Sequence, residues 1–106
     1  MFKDSYKSVG PGKCANADGN IIEKVVDDNI GEFTISSTSI NGKWPECETS
    51  CSCNPKCIGF VVQDSGDNDN KGFCDTLLST DKNADPSNCL LQPIRANDFS
   101  CFQRGQ

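Results

Sequence analysis

Cysteine is the residue type of this sequence with the most distinctive chemistry. The eight cysteines are Cys14, Cys47, Cys51, Cys53, Cys57, Cys74, Cys89 and Cys101. Thiols form disulfides, bind zinc or carry out redox catalysis. Because a chain of 106 residues with 35% hydrophobic side chains buries only a small core, covalent cross-links are the expected role. An even number of cysteines agrees with complete pairing.

The four central cysteines raise the alternative of a zinc site with four thiolate ligands. Cys47, Cys51, Cys53 and Cys57 are separated by three, one and three residues. This spacing is irregular for structural zinc, and a gap of one residue is awkward. The sequence contains no Cys-x-x-Cys motif, which argues against a redox catalyst. Structural disulfides are therefore favoured, and no cofactor or metal is predicted.

Catalytic chemistry has few candidates. Histidine is absent from the sequence, which excludes a Ser-His-Asp triad, a Cys-His dyad and imidazole metal ligands. Glu46 and Glu48 could be read as a carboxylate pair. Two residues apart on a helix their side chains diverge, so stabilisation of the positive end of the helix dipole is the better interpretation. We expect no enzymatic activity.

Charge and hydropathy exclude further classes of function. The net charge is −5 and the pI is near 4.5, so the chain repels nucleic-acid phosphates. No apolar run approaches the ~20 residues that cross a bilayer, which predicts no membrane insertion. The start, Met1–Tyr6, lacks the apolar segment of a signal peptide. We expect a mature product, or a module of a longer chain, from an oxidising compartment.

An acidic stretch supplies the first candidate binding residues. Asp64, Asp67 and Asp69 alternate with other residues in the way that oxygen ligands alternate in a calcium loop. However, Lys71 and Leu78 occupy positions where such a loop needs oxygen ligands. A solvated hairpin tip is therefore favoured over a calcium site.

Two further side chains are candidate contacts for a partner. Trp44 precedes the predicted helix, where an aromatic side chain either contacts a ligand or, more commonly, packs over the helix start. Arg95 and Arg104 are isolated cations near the C-terminal end. Either could bind an acidic ligand, although a solvated surface position is the commoner role. The candidate binding residues are Trp44, Asp64, Asp67, Asp69 and Arg95.

One helix is predicted clearly. Pro45 suits its first turn, and the Asn54-Pro55 pair ends it, so the helix runs from Pro45 to about Cys53. Cys47 and Cys51 then share a face with Cβ atoms roughly 5–6 Å apart. Because a disulfide needs about 3.8 Å, these two cysteines should not pair with each other. Cys53 lies about 200° round the helix from Cys51 and faces the other way.

Strands are predicted on both sides of this helix. Ile58–Gln63 and Gly72–Leu78 form a hairpin with a long acidic tip. The remaining segments are a strand at Phe99–Phe102, an apolar-polar segment at Tyr6–Val9, a short strand at Phe33–Ile35 and a loop at Ser36–Gly42. Ile21–Val26 has helical spacing but β-branched residues, so helix and strand both remain open.

Three motifs in this order resemble a PAN/apple module. They are Glu46–Cys51, Cys57–Val62 and Gly72–Leu77, and the flanking Tyr6–Cys14 and Cys101–Arg104 suit that family's first and last strands. The resemblance implies an α+β fold over residues 1–106 as a single domain. Its expected architecture is a small disulfide-rich one, in which a curved antiparallel β-sheet cradles one α-helix.

The resemblance also implies a disulfide pattern, which eight cysteines alone leave open among 105 pairings. Helix-to-sheet bridges would be Cys47–Cys74 and the short clip Cys51–Cys57, and Cys14–Cys101 would join the termini. Cys53–Cys89 is then an extra pair that the basic family pattern lacks. The segment 19–43 is also longer than a compact member of the family requires.

The function implied by the resemblance is recognition of proteins or carbohydrates without catalysis. The expected contacts are the loops Asp64–Lys71 and Thr80–Asn88, because polar loops on a rigid scaffold carry such contacts. The alternative is a structural accessory subunit docked on the lumenal or extracytoplasmic face of a larger membrane assembly, a photosynthetic one included. The compartment would be extracellular or an oxidising lumen, such as that of the thylakoid.

Overall fold

The protein is built on an antiparallel sheet with a helix on one face. The computed structural model describes residues 5–23, 35–64, 71–84, 91–94 and 98–105. The elements are β1 (Tyr6–Pro11), β2 (Lys13–Ala15), β3 (Ile35–Thr38), α1 (Pro45–Ser52), β4 (Cys57–Asp64), β5 (Lys71–Leu78), β6 (Gln92–Ile94) and β7 (Phe99–Arg104). Five strands form a sheet in the order β1-β7-β4-β5-β3, and β2 pairs with β6. The predicted α+β class with an antiparallel sheet is confirmed.

Helix α1 buries only two side chains against the sheet, and both are cysteines. Pro45 occupies its first turn as predicted, and Cys53 is its C-cap. The buried residues of the helix are Cys47 and Cys51. Because each apolar side chain buried on folding contributes only about 1.5–3 kcal/mol, two small side chains cannot hold a helix of eight residues in place by burial alone.

The central hairpin agrees with the sequence, whereas most of β3 beside it was predicted as a loop. Ile35 belongs to the predicted strand Phe33–Ile35, whose first two residues lie outside the described part of the chain. β4 extends the predicted strand Ile58–Gln63 by one residue at each end, and β5 extends Gly72–Leu78 by one residue at the hairpin tip. The predicted loop Ser36–Gly42 is corrected, because its first three residues belong to β3. They form a strand since they pair with β5, which is a contact distant in sequence.

The structure decides between helix and strand only for the start of the segment 21–26. Ile21 forms an isolated bridge with Ala15, and Glu23 forms one with Lys82. These two residues are extended, and residues 24–26 lie outside the described part of the chain.

Two hydrophobic clusters lie on opposite faces of the five-stranded sheet. The helix-side cluster consists of Trp44, Cys47, Cys51, Cys57, Phe60, Val62, Cys74 and Phe102. The second cluster consists of Cys14, Ile22, Ile58, Leu77, Leu91 and Cys101. A bulge between Cys57 and Gly59 interrupts the alternation of β4, so Ile58 and Phe60 lie in opposite clusters although they are two residues apart. Each cluster is small and sulfur-rich, as the low hydrophobic content predicts.

Aromatic rings form the centre of the helix-side cluster. Phe60 of β4 stacks on Phe102 of β7 with ring centroids 4.9 Å apart, and the ring of Tyr6 on β1 lies 5.4 Å from that of Phe60. The Tyr6 hydroxyl donates to the Glu48 carbonyl and lies 2.7 Å from Ser52 Oγ. Tyr6 thus joins the aromatic rings of the sheet to the helix.

The described residues include three disulfides, which are the pairings that the resemblance implies. Cys14–Cys101, Cys47–Cys74 and Cys51–Cys57 have Cα–Cα distances of 5.2, 6.1 and 5.3 Å. The helix is therefore bonded to β5 through Cys47 and to the start of β4 through Cys51. The first of the three ties β2 to β7, near the two ends of the described chain.

The predicted Cys53–Cys89 bridge is corrected. Cys53 is a free cysteine with an exposed side chain, and Cys89 lies outside the described residues. The helix geometry explains the exposure, because Cys53 follows the two cysteines that face the sheet and points away from them. Because water solvates this exposed thiol, Cys53 does not need a disulfide partner.

Polar side chains from the sheet bind both ends of the helix. At the start, Ser37 Oγ donates to Glu46 Oε2 at 2.7 Å, and the Thr38 N–H lies 3.5 Å from the same oxygen. The bond from Ser37 lowers the pKa of Glu46, because it stabilises the ionised carboxylate. At the other end, Arg104 Nη1 donates to the Cys51, Asn54 and Cys57 carbonyls, which satisfies the helix C-terminus.

Candidate functional site on the open sheet face

The sheet face opposite the helix, called the outer face here, is the candidate functional surface. Cys74 points toward the helix because it is bonded to Cys47. Side chains alternate along a strand, so Phe73 points to the outer face. The same reasoning places Gln63 there, since its neighbour Val62 lies in the helix-side cluster.

The outer face is divided into a covered half and an open half. Over the covered half, β2 and β6 pack with Leu91 and Ile22 against Ile58, Leu77 and Cys101. The open half lies toward the other ends of β4 and β5, where Gln63 and Phe73 are exposed. The described elements therefore leave this half of the face uncovered.

Four side chains cross the open half in one line, which we call the Phe73 row. The row consists of Ser36, Phe73, Gln63 and Phe99 on β3, β5, β4 and β7. Ser36 pairs with Phe73, Phe73 with Gln63, and Gln63 with Phe99. Because neighbouring strands lie about 4.8 Å apart, the row is about 14 Å long.

Exposure differs along the row. Phe73 is 45% exposed, although its strand has a neighbour on each side. Ser36 and Gln63 on either side of it are exposed, and Phe99 at the end is half-buried. The ammonium group of Lys13 lies 4.9 Å from the centroid of the Phe99 ring. Since this cation–π contact occupies Phe99, Phe73 is the ring that the row offers to a ligand.

The chemistry of the row is that of binding. Phe73 offers an apolar ring, the Gln63 amide both donates and accepts hydrogen bonds, and the Ser36 hydroxyl does the same. A flat aromatic between two such groups suits a ligand that combines an apolar surface with polar edges.

Trp44 does not occupy the predicted contact position. It is 6% exposed and lies in the helix-side cluster. Its ring lies against the backbone of β5, where a Cβ added at Gly72 would come within 3.1 Å of it. Trp44 is therefore not an exposed contact residue and has the commoner of the two roles considered, packing at the helix start, because the approach of the ring to a glycine of the sheet buries it.

The remaining candidate contacts are not brought together by the described structure. The backbone of Asp64 ends β4, and Asp67, Asp69 and Arg95 lie outside the described residues. Part of the loop Thr80–Asn88 turns inward: Asp81 is buried, and its Oδ2 accepts a hydrogen bond from the Leu78 N–H at 2.8 Å. That carboxylate stabilises a turn.

Three of the four central cysteines have the favoured disulfide role and not the zinc alternative. Cys47, Cys51 and Cys57 are disulfide-bonded, so they supply no thiolate ligands. Within the described ranges, no group of three or more acidic or cysteine side chains is placed to hold a metal ion. The only helix of those ranges, α1, is too short to cross a membrane.

Neither Phe73 nor Gln63 was predicted from the sequence as a contact residue. A signal for Phe73 was present: if Cys74 is bonded to the helix, strand alternation forces its neighbour to the opposite face. The exposure of that face depends on how far β2 and β6 cover it, which local sequence does not reveal.

Comparisons with known proteins give no relative for this chain. No protein-family model matches it, and neither the curated proteins nor the solved structures contain a match.

Proposed function

We propose that this chain is a non-catalytic recognition module of the PAN/apple type, and that the Phe73 row is its contact surface. The observation that carries the proposal is the 45% exposure of Phe73 on an inner strand, in line with exposed hydrogen-bonding side chains. Burial of that ring by a partner would supply binding free energy that the isolated chain leaves unused.

The disulfides support this proposal because they adjoin the row. Phe73 precedes Cys74, which is bonded to the helix, and Lys13 precedes Cys14, which is bonded to Cys101 of β7. Phe99 lies two residues before Cys101. A covalently fixed backbone presents side chains at a lower entropic cost on binding, as recognition surfaces require.

The same three disulfides support an oxidising compartment. Disulfides persist in secreted proteins and oxidising lumens and are rare in the cytosol. We place the module outside the cell or in such a lumen. In the PAN/apple interpretation, the helix-to-sheet bridges and the bridge between the terminal strands are the family's shared features, and they occur here at the implied cysteines.

The proposal predicts that ligand binding depends on Phe73. On arrays of immobilised glycans and extracellular proteins, the native chain should show saturable binding to at least one ligand. Phe73→Ala should weaken that binding by about tenfold or more, since a central aromatic contact is worth at least about 1.4 kcal/mol. Ile40→Ala is the matched control, because Ile40 is 58% exposed and lies outside the row.

Two results would count against a recognition module. One is the absence of saturable binding on both arrays. The other is binding that Phe73→Ala and Ile40→Ala leave equally strong. Stoichiometric copurification with a larger assembly, combined with failure on both arrays, would favour the accessory-subunit alternative.

A further inference from the structure

We infer that the ligand of the Phe73 row is a neutral glycan chain, bound by stacking of a sugar ring on Phe73 and by hydrogen bonds to Gln63 and Ser36. This inference rests on the proposed function and narrows it from proteins or carbohydrates to one chemical class. It follows from the size of the open surface, its charge and the order of its side chains.

Within the described residues, the row by itself is too small for a protein interface. The row is about 14 Å long, and residues that share a face repeat about every 7 Å along a strand, so its footprint is on the order of 100–200 Å². A stable protein interface buries about 800 Å² on each partner, with an apolar centre. Among the described large hydrophobic side chains that are more than a third exposed, Phe73 is the only one in the five-stranded sheet.

The charge of the row matches a neutral ligand. Ser36, Phe73 and Gln63 carry no charge. Lys13, at one margin, has its ammonium group over the Phe99 ring. Lys71, at the other margin, belongs to the next cross-strand pair, with Thr38. Asp75, two residues from Phe73 on the same face of β5, is half-buried and pairs with Val61, outside the row. The row itself therefore offers stacking and hydrogen bonds without ion pairing.

The order of the side chains matches a sugar ring. One face of a pyranose is lined by C–H bonds and packs on an aromatic ring, whereas its hydroxyl groups project at the edge. In the row, the strands on both sides of Phe73 are about 4.8 Å away, and each carries a hydrogen-bonding side chain. The amide of Gln63 both donates to and accepts from hydroxyl groups. A sugar stacked on Phe73 therefore meets polar partners on both edges.

A chain of sugars is favoured over a single sugar. The row extends across four strands, whereas the ring of a single sugar covers the width of one or two strands. Adjacent units of a bound chain then lie over Gln63 and toward Phe99. Several weak contacts in line provide the affinity that one exposed aromatic does not.

Chemical-shift titration of the intact, oxidised protein tests this inference. The probes are cellohexaose, laminarihexaose, mannohexaose and chitohexaose, with a heparin hexasaccharide as the anionic comparison. At least one neutral probe should produce saturable shifts at Phe73 and Gln63. Phe73→Ala and Phe73→Leu should weaken that binding by about tenfold or more, whereas Phe73→Tyr should retain it, because stacking needs an aromatic ring. Ile40→Ala should bind like the native chain.

The inference is overturned if no neutral probe shifts Phe73, if the heparin probe alone binds, or if Phe73→Leu binds as well as Phe73→Tyr. The Phe73→Tyr and Phe73→Leu variants change the same exposed side chain. If one of them folds poorly, the other still tests whether binding needs an aromatic ring. If array-bound proteins require Phe73 while every neutral probe fails, the recognition function stands and the assignment to glycans falls.

Discussion

Replacement of the Cys14–Cys101 disulfide by two serines is expected to lower the free energy of unfolding by about 4–5 kcal/mol. The two cysteines are 87 residues apart in sequence, so their bridge removes the most chain entropy from the unfolded state. Since domains of this size have about 5–15 kcal/mol in total, the variant should be only marginally folded. Urea unfolding followed by circular dichroism measures the loss.

The matched control for this prediction is the double variant Cys51→Ser/Cys57→Ser. Its sulfur atoms are as deeply buried, with both cysteines at most 3% exposed, but the sequence separation is only 6. The chain-entropy relation then gives about 2–2.5 kcal/mol. Equal losses for the two variants, or a larger loss for the short loop, would show that burial of sulfur, rather than chain constraint, sets the stability.

Trp44→Ala is expected to cost about 3–5 kcal/mol of folding stability, because it leaves a large cavity between the helix start and the sheet. The ring is 6% exposed and packs where Gly72 leaves room for it. The measurement is again equilibrium unfolding in urea. Ligand binding by the fraction that remains folded should be unchanged, since Trp44 lies on the helix side of the sheet.

Phe73→Ala provides the comparison for Trp44→Ala. Its ring is 45% exposed and leaves no closed cavity, so the expected loss of stability is only about 0.5–1 kcal/mol, mainly from cross-strand contacts. The two variants should therefore separate stability from binding. A stability loss for Phe73→Ala as large as that for Trp44→Ala would contradict the placement of the two rings on opposite faces.

The helix and the hairpin were predictable because their signals are local. Pro45 and the Asn54-Pro55 pair bound the helix to within a residue, since proline restricts the backbone on both sides of itself. Alternation of Phe60 and Val62 with polar or outward-facing neighbours identifies β4, whereas the bulge that turns Ile58 to the opposite face was not predictable from it. The pattern of side chains alone decides these elements.

Elements defined by distant partners were not predictable in the same way. The serines of β3 have no strong strand preference, and they become a strand because β5 offers an open edge and Glu46 accepts the Ser37 hydroxyl. Cys53 illustrates the opposite error. Its direction was predicted, but the inference that it needs a partner ignored that an exposed thiol is satisfied by water.

The candidate site was harder to predict than the fold. Trp44 and Phe73 are both aromatic residues in a polar context, and sequence alone does not indicate which of them is buried. Gly72 leaves room for the Trp44 ring, which is therefore buried, and the Cys47–Cys74 bridge turns Phe73 to the outer face. Both are contacts between elements.

The central claim is that covalent bonds fix the helix on the sheet and thereby present the outer face. Alkylation of the native protein, followed by a peptide map without reduction, tests it most directly. The account predicts that Cys53 is labelled and that the map contains Cys14–Cys101, Cys47–Cys74 and Cys51–Cys57. Labelling of any of those six cysteines in the native protein, or a bridge that includes Cys53, would contradict it.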